Sequence, residues 1–168
     1  MTKAKAEFSR PLSVDRVPRG GCDEKIAADP DECKALAVRL GVPAIHALNA
    51  ELQAMPWRGG GLKLEGKLVA DLEQVSVISL EAFRQQVEFP VTRYFAANPV
   101  AGEEADAEID PIDNGQVDLG EAVAETLALE LDPYPRRPGE AFDDAAWTET
   151  PSPTPLSPFA SLMRLKPK

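Results

Sequence analysis

Histidine, cysteine and long apolar runs are scarce in this chain, and each scarcity narrows what it can do. His46 is the single histidine among 168 residues. Ordinary Cys-His or His-His catalytic pairing therefore has at most one imidazole to draw on, placed between Ile45 and Ala47, where a structural role is the simpler reading. Two cysteines, Cys22 and Cys33, are too few and too isolated for a disulfide framework or a zinc site, which needs paired Cys/His ligands at short spacing. Reduced thiols follow, with Cys33 read as a small core residue on a helical stripe with Leu36, Ala37 and Leu40. No window approaches the roughly 18 apolar residues of a membrane span, and Met1 to Phe8 lacks the apolar stretch of a secretory signal. A cytoplasmic protein without a membrane partner is expected. Neither a Gly-x-Ser-x-Gly elbow nor a phosphate-cradling glycine loop occurs, so no cofactor and no small-molecule substrate is expected.

Acidic residues are plentiful, and they are unevenly placed. The net charge is −10, yet residues 1–100 hold 13 acidic and 13 basic side chains, while residues 101–150 hold 15 acidic against Arg136 and Arg137 alone. Residues 151–168 carry three basic side chains and no acidic one. A charge-balanced domain with an acidic arm is thus expected, and its local patches remain able to meet either phosphate or a basic partner. Eight of the 16 prolines fall between Pro133 and Pro167, which gives a stiff, unpacked tail.

The periodicities suit a β-rich domain. Pro11 and Pro18 break up the first apolar residues into an extended or edge segment, and Cys22 to Ala27 reads as a short strand. Asp29-Pro-Asp-Glu32 marks a helix start, with Asp29 as cap and Glu32 as its partner, running to Leu40 and stopping at Gly41. Residues 44–55 fit both helical spacing and alternation and are read as strand. After the Gly59-Gly60-Gly61 turn, Leu62, Leu64, Leu68, Ala70 and Leu72 alternate with polar residues. At Gln74 the apolar parity switches to Val75 and Val77, which predicts a bulge or strand end before a turn near Ser79 to Ala82. Val87, Phe89, Val91 and Phe95 line the next strand. Asp118 then caps a helix, Glu121 reaches back as its partner, and Leu119, Val123, Leu127 and Leu131, widened by Ala124 and Ala128, form the buried stripe. Pro133 and Pro135 end it.

The fold expected is α+β: an antiparallel meander forming a curled sheet or partly open barrel, two helices packed on it, and a disordered Pro-rich C-terminal tail. Residues 1–138 form the domain, with an acidic loop at 97–111; residues 139–168 form the tail, with a short apolar motif at 157–165.

Three segments in order, Leu62 to Phe83, Ile112 to Leu131 and Ser157-Pro-Phe-Ala-Ser-Leu162, resemble the YceD family, bacterial and plastid proteins implicated in accumulation of large-subunit ribosomal RNA. Asp118-Leu-Gly-Glu121 and Asp132-Pro-Tyr-Pro-Arg136 are similar to alphaproteobacterial members in particular. The resemblance implies a role in large-subunit biogenesis, with 23S rRNA or its precursor particle as partner. Many members carry a Cys-x-x-Cys where this chain has Ser76 and Ser79. Serine hydroxyls stay protonated and bind zinc poorly, so no metal is expected there.

Binding is therefore expected in place of catalysis. The RNA-contact candidates are Trp57, Arg58, Lys63 and Lys67, because lysines and an aromatic on a sheet face can meet phosphates and stack on an unpaired base. The alternative is an acidic adaptor or chaperone for a basic large-subunit ribosomal protein, with Glu103, Glu104, Asp106 and Glu108 holding the partner and Phe159 offering an apolar dock. A small hydrolase with an unrecognised site is the second alternative. Asp118, Glu121 and Glu125 have the chemistry for acid/base work, but capping and a solvated helix face account for them.

Overall fold

The structure, a computed structural model, describes residues 6–97 and 109–141. Packing divides the chain into Met1–Arg137 and Pro138–Lys168. The described start of the second unit is a turn at Pro138 and Gly139, the latter at φ 83°.

The first unit contains, in chain order, β1 (Pro11–Ser13), β2 (Cys22–Ala27), α1 (Pro30–Leu40), β3 (Ala44–Trp57), β4 (Gly61–Val75), β5 (Ala82–Ala96), β6 (Ile109–Pro111), β7 (Gln116–Asp118) and α2 (Leu119–Glu130). β3, β4 and β5 make the antiparallel meander, with β2 antiparallel on one edge and β6 parallel on the other, in the order β2-β3-β4-β5-β6. β1 and β7 pair separately as an antiparallel ladder. The sheet is open and does not curl into a barrel, contrary to expectation, because β2 and β6 are its two edges and pair with no common neighbour. β6 spans only three residues, too short to continue the sheet round.

Strand periodicity places the core. Even-numbered residues of β4 and odd-numbered residues of β5 face inward, so Leu62 pairs with Phe95, Leu68 with Phe89 and Ala70 with Val87. Leu62, Leu64, Leu68, Ala70 and Leu72 are wholly buried. Residues 44–55 are indeed strand, with Leu48, Ala50, Leu52 and Ala54 on the same inner face. α1 packs on β3, and α2 packs on β5 and β1. α1 follows its sequence signals throughout: Asp29 accepts from the Asp31 and Glu32 amides, Glu32 accepts from the Asp29 amide, and Gly41 ends the helix at φ 66°. Cys33 is buried beside Leu36, and burial pushes its thiol up.

Four details depart from the sequence reading. Of the two readings at Gln74 the strand end holds and the bulge does not: β4 stays in register with β5 as far as Val75, where it ends, leaving Val75 and Val77 outward and Gln74 buried. The buried amide is tolerated because it donates to the Asp132 carbonyl at 3.3 Å and accepts from the Gln85 amide. The bulge lies instead at His46 in β3, and the turn after β4 falls at Ser76 to Glu81. Residues 109–111, read as the end of the acidic loop, form β6. Glu121 does not return to its cap: both its oxygens receive the Arg39 guanidinium, at 2.6 and 2.9 Å. On α2, Ala122 and Thr126 are buried while Ala128 is exposed, so the buried stripe is centred one position away from the expected one.

Among the described residues no helix is long and apolar enough to cross a membrane. Of the predicted tail, residues 142–168, and with them the 157–165 motif, lie outside the described residues.

Candidate functional site

The helix-free face of the sheet is built from the residues that alternate away from the core. Cross-strand register puts Met55, Lys63, Tyr94 and Ile109 in one row across β3, β4, β5 and β6. Trp57 sits beside that row, opposite Gly61. Bare backbone at Gly61 matters here, since a Cβ would meet the Phe95 carbonyl and lie 3.1 Å from the Trp57 ring. Without one, the indole reaches across β4 to Tyr94, with ring centroids 5.1 Å apart and planes tilted by 53°. Lys63 brings its ammonium over the Tyr94 ring, 5.7 Å from the centroid. Its bond to Glu65, at 2.5 Å, raises its proton affinity and keeps it charged. Trp57, Lys63 and Tyr94 are all partly exposed.

Two of the sequence candidates, Trp57 and Lys63, are thus brought together, and Arg58 follows Trp57 directly in the turn to β4. Gly59 and Gly60 in that turn take φ values of 63° and 79°, which is why glycines are used. Lys67 is not part of the cluster. It lies four residues along β4, about 13 Å away at strand rise, and pairs with Glu88 at 3.4 Å. Tyr94 was missed by the sequence reading. Its signal was its even number in a strand whose odd-numbered residues are apolar, which assigns it to the outer face.

Away from this corner the outer face is dominated by carboxylates and their partners. Lys25 meets Glu51 at 2.8 Å, Arg84 meets Asp71 at 2.5 Å, and His46 meets Glu73 at 2.9 Å. Lys63 at the corner is itself paired, with Glu65, so what sets the corner apart from the rest of the outer face is its aromatic surface. The partner candidates Glu103, Glu104, Asp106, Glu108 and Phe159 lie outside the described residues.

The carboxylates weighed for acid/base chemistry have structural partners. Asp118 accepts from Ser9 Oγ, the Arg10 amide and the Gly120 and Glu121 amides at 2.5 to 3.3 Å. Glu121 holds Arg39, and Glu125 shares Arg93 with Asp110 at 2.9 and 2.6 Å. Burial alone would lower the Arg93 proton affinity; the bonds to Asp110 and Glu125 more than offset it.

Ser76 is wholly buried, and its Oγ accepts from the Ile78 and Ser79 amides at 3.1 and 3.3 Å. The hydroxyl thus shapes the turn. The Val77 amide donates to the Pro135 carbonyl at 3.0 Å, and Glu81 pairs with Arg137, so the Asp132 to Arg137 segment is fastened to this turn. Among the described residues no cluster of three or more His, Cys, Asp or Glu is placed to hold a metal ion.

Fold and site together define a small α+β protein whose distinguishing surface is an aromatic and cationic corner on an open sheet. The family described as large ribosomal RNA subunit accumulation protein YceD matches residues 64–166, more than half of the chain, and the protein belongs to that family. The matched span includes Lys67 and Tyr94 and begins one residue after Lys63. No curated protein and no solved structure matches the chain.

Proposed function

We propose that this protein is a non-enzymatic, cytoplasmic factor in large ribosomal subunit biogenesis that binds unpaired segments of 23S rRNA or its precursor particle. The family's association with accumulation of that RNA supplies the process. The observation that carries the contact is the Trp57–Tyr94 pair with Lys63 over the tyrosine ring. Two aromatic faces at the open end of a sheet suit a splayed base, whose stacking contributes about 1–3 kcal/mol, and the lysine suits the adjoining phosphate. The RNA is held and not cut, in keeping with the structural engagement of Asp118, Glu121 and Glu125.

The test is the affinity for single-stranded 23S rRNA fragments at several salt concentrations. Joint Trp57→Ala and Tyr94→Ala substitution should weaken binding roughly 5- to 150-fold. Lys63→Glu should weaken it further and reduce its salt dependence, whereas Lys67→Glu should have the smaller effect. Unchanged affinity in the double aromatic variant would remove this surface from the account.

A second reading, an adaptor for a basic ribosomal protein, is favoured by the acidic excess of residues 101–150. Because β6 and the Asp113–Gln116 bridge lie just beyond the arm, its test is neutralisation of Glu103, Glu104, Asp106 and Glu108 to amides, with deletion avoided. Undiminished capture of a basic ribosomal protein would count against the arm.

A further inference from the structure

At the other end of β4 from the aromatic corner lies a groove of about 330 Å³, lined by Leu40, Val42, Val75, Ala128, Leu131 and Pro133. Its margin leaves apolar surface in water: Val75 is 44% exposed and Tyr134, in the segment that borders it, 69%. The groove also receives the C-terminal end of α2, and here the electrostatics run against the helix. A helix C-terminus carries roughly half a negative charge and is ordinarily balanced by Lys, Arg or His in the last turn. α2 has no basic residue in its last turn, and Glu130 and Asp132 add two carboxylates at the same place. Asp132 uses one oxygen to accept the Tyr134 amide at 2.8 Å, and among the described residues neither carboxylate has a cationic partner. The other carboxylates of this helix, Glu121 and Glu125, are each matched by an arginine. Among the described residues, negative charge is therefore left unpaired at this end of α2, beside an apolar surface.

We propose that this groove binds a segment of a basic protein, seating an apolar side chain on its apolar lining while flanking lysines or arginines meet Glu130, Asp132 and the end of α2. Apolar burial supplies the anchor and charge complementarity supplies the selection. A nucleic acid does not fit the same surface, because its phosphates would face the negative end of the helix. The inference is independent of the RNA reading, which concerns the opposite end of the sheet.

The probe is a short fluorescent peptide in which Leu and Phe alternate with Lys and Arg, titrated into the full chain and followed by anisotropy. Saturable binding is expected, weakening as salt rises. Ala128→Trp, which fills the groove from an exposed position without touching the core, should weaken it about tenfold or more. So should Glu130→Gln with Asp132→Asn, a pair that keeps an acceptor for the Tyr134 amide. Affinity for 23S rRNA fragments should be unchanged in both variants, which separates failure of this site from failure of the corner. The proposal is overturned if a peptide with Glu in place of Lys and Arg binds equally well. It is also overturned if both variants, folded as judged by circular dichroism, keep full peptide affinity.

Discussion

Gly120 shows how much one missing carbon can decide. It lies inside α2, where alanine would ordinarily be the better residue by about 1 kcal/mol. A Cβ there, however, would collide with the Phe8 carbonyl, because the N-terminal segment crosses the helix at that point. Backbone must then move to make room, and overpacking of this kind costs about 1–3 kcal/mol, more than the propensity gain. Gly120→Ala is expected to lower the stability by a net of up to about 2 kcal/mol, read as a fall in the urea midpoint. A raised midpoint would show that the segment yields without cost. The collision was not legible in the sequence, since Phe8 and Gly120 are distant neighbours brought together only by β1 pairing with β7. The outward placement of Tyr94 was legible, by counting along the strand. What hid the pair with Trp57 was the cross-strand register, which sets partners that alternation alone leaves free.

Among the elements, α1 was the most readable because its start and stop signals are local: Asp29, Pro30 and Glu32 at one end, Gly41 at the other. β4 was readable for the same reason, its alternation running through Leu72. The parity change beyond it marks the strand end, as its alternation allows, whereas the burial of Gln74 was not legible, because that side chain owes its place to Asp132 and Gln85. No window of sequence contains those partners. The cap of α2 was found, but its reach was not. Asp118 accepts from the chain entering β1 as well as from its own helix, joining two elements more than a hundred residues apart in sequence. Asp118→Ala should therefore cost more than the roughly 1 kcal/mol of an ordinary cap, about 2–3 kcal/mol, because Ser9 and the Arg10 amide lose an acceptor too. Asp118→Asn should recover part of it. A loss no larger than an ordinary cap, read in denaturant unfolding, would mean the β1 link contributes nothing.

At the scale of the whole molecule, three arginines tie the described elements of the first unit together. Arg10 joins Glu32 of α1 through two bonds of 2.8 Å and also donates to the Ala27 carbonyl on β2. Arg39 joins α1 to Glu7 and to α2, and Arg93 joins β5, β6 and α2. The carboxylates are the titratable half of these links. Hydrogen bonding from Arg10 holds the Glu32 carboxyl below its ordinary range, opposed by partial desolvation. A group whose folded pKa is depressed contributes stability that is present above its unfolded value, about 4.3 for Glu, and is lost as pH falls through the folded value. Stability should thus be level near neutrality and decline below about pH 4.3, and Glu32→Gln should flatten part of that decline. An unchanged slope in the variant would remove the Arg10 link from the acid response.

The arrangement left over from these structural ties is the one assigned to function. Ion pairs run along the outer face, the Lys63–Glu65 pair included, and only at the corner do they meet aromatic rings, those of Trp57 and Tyr94, beside a glycine that gives the indole its room. Trp57 is also a reporter of its own surroundings once Trp147, the other tryptophan, is replaced by Phe. Titrating that variant with single-stranded 23S rRNA fragments while following Trp57 emission tests the corner directly. Saturable quenching, weaker at higher salt and lost with Tyr94→Ala, is the predicted result; RNA binding in a gel shift with Trp57 emission unaltered would contradict it.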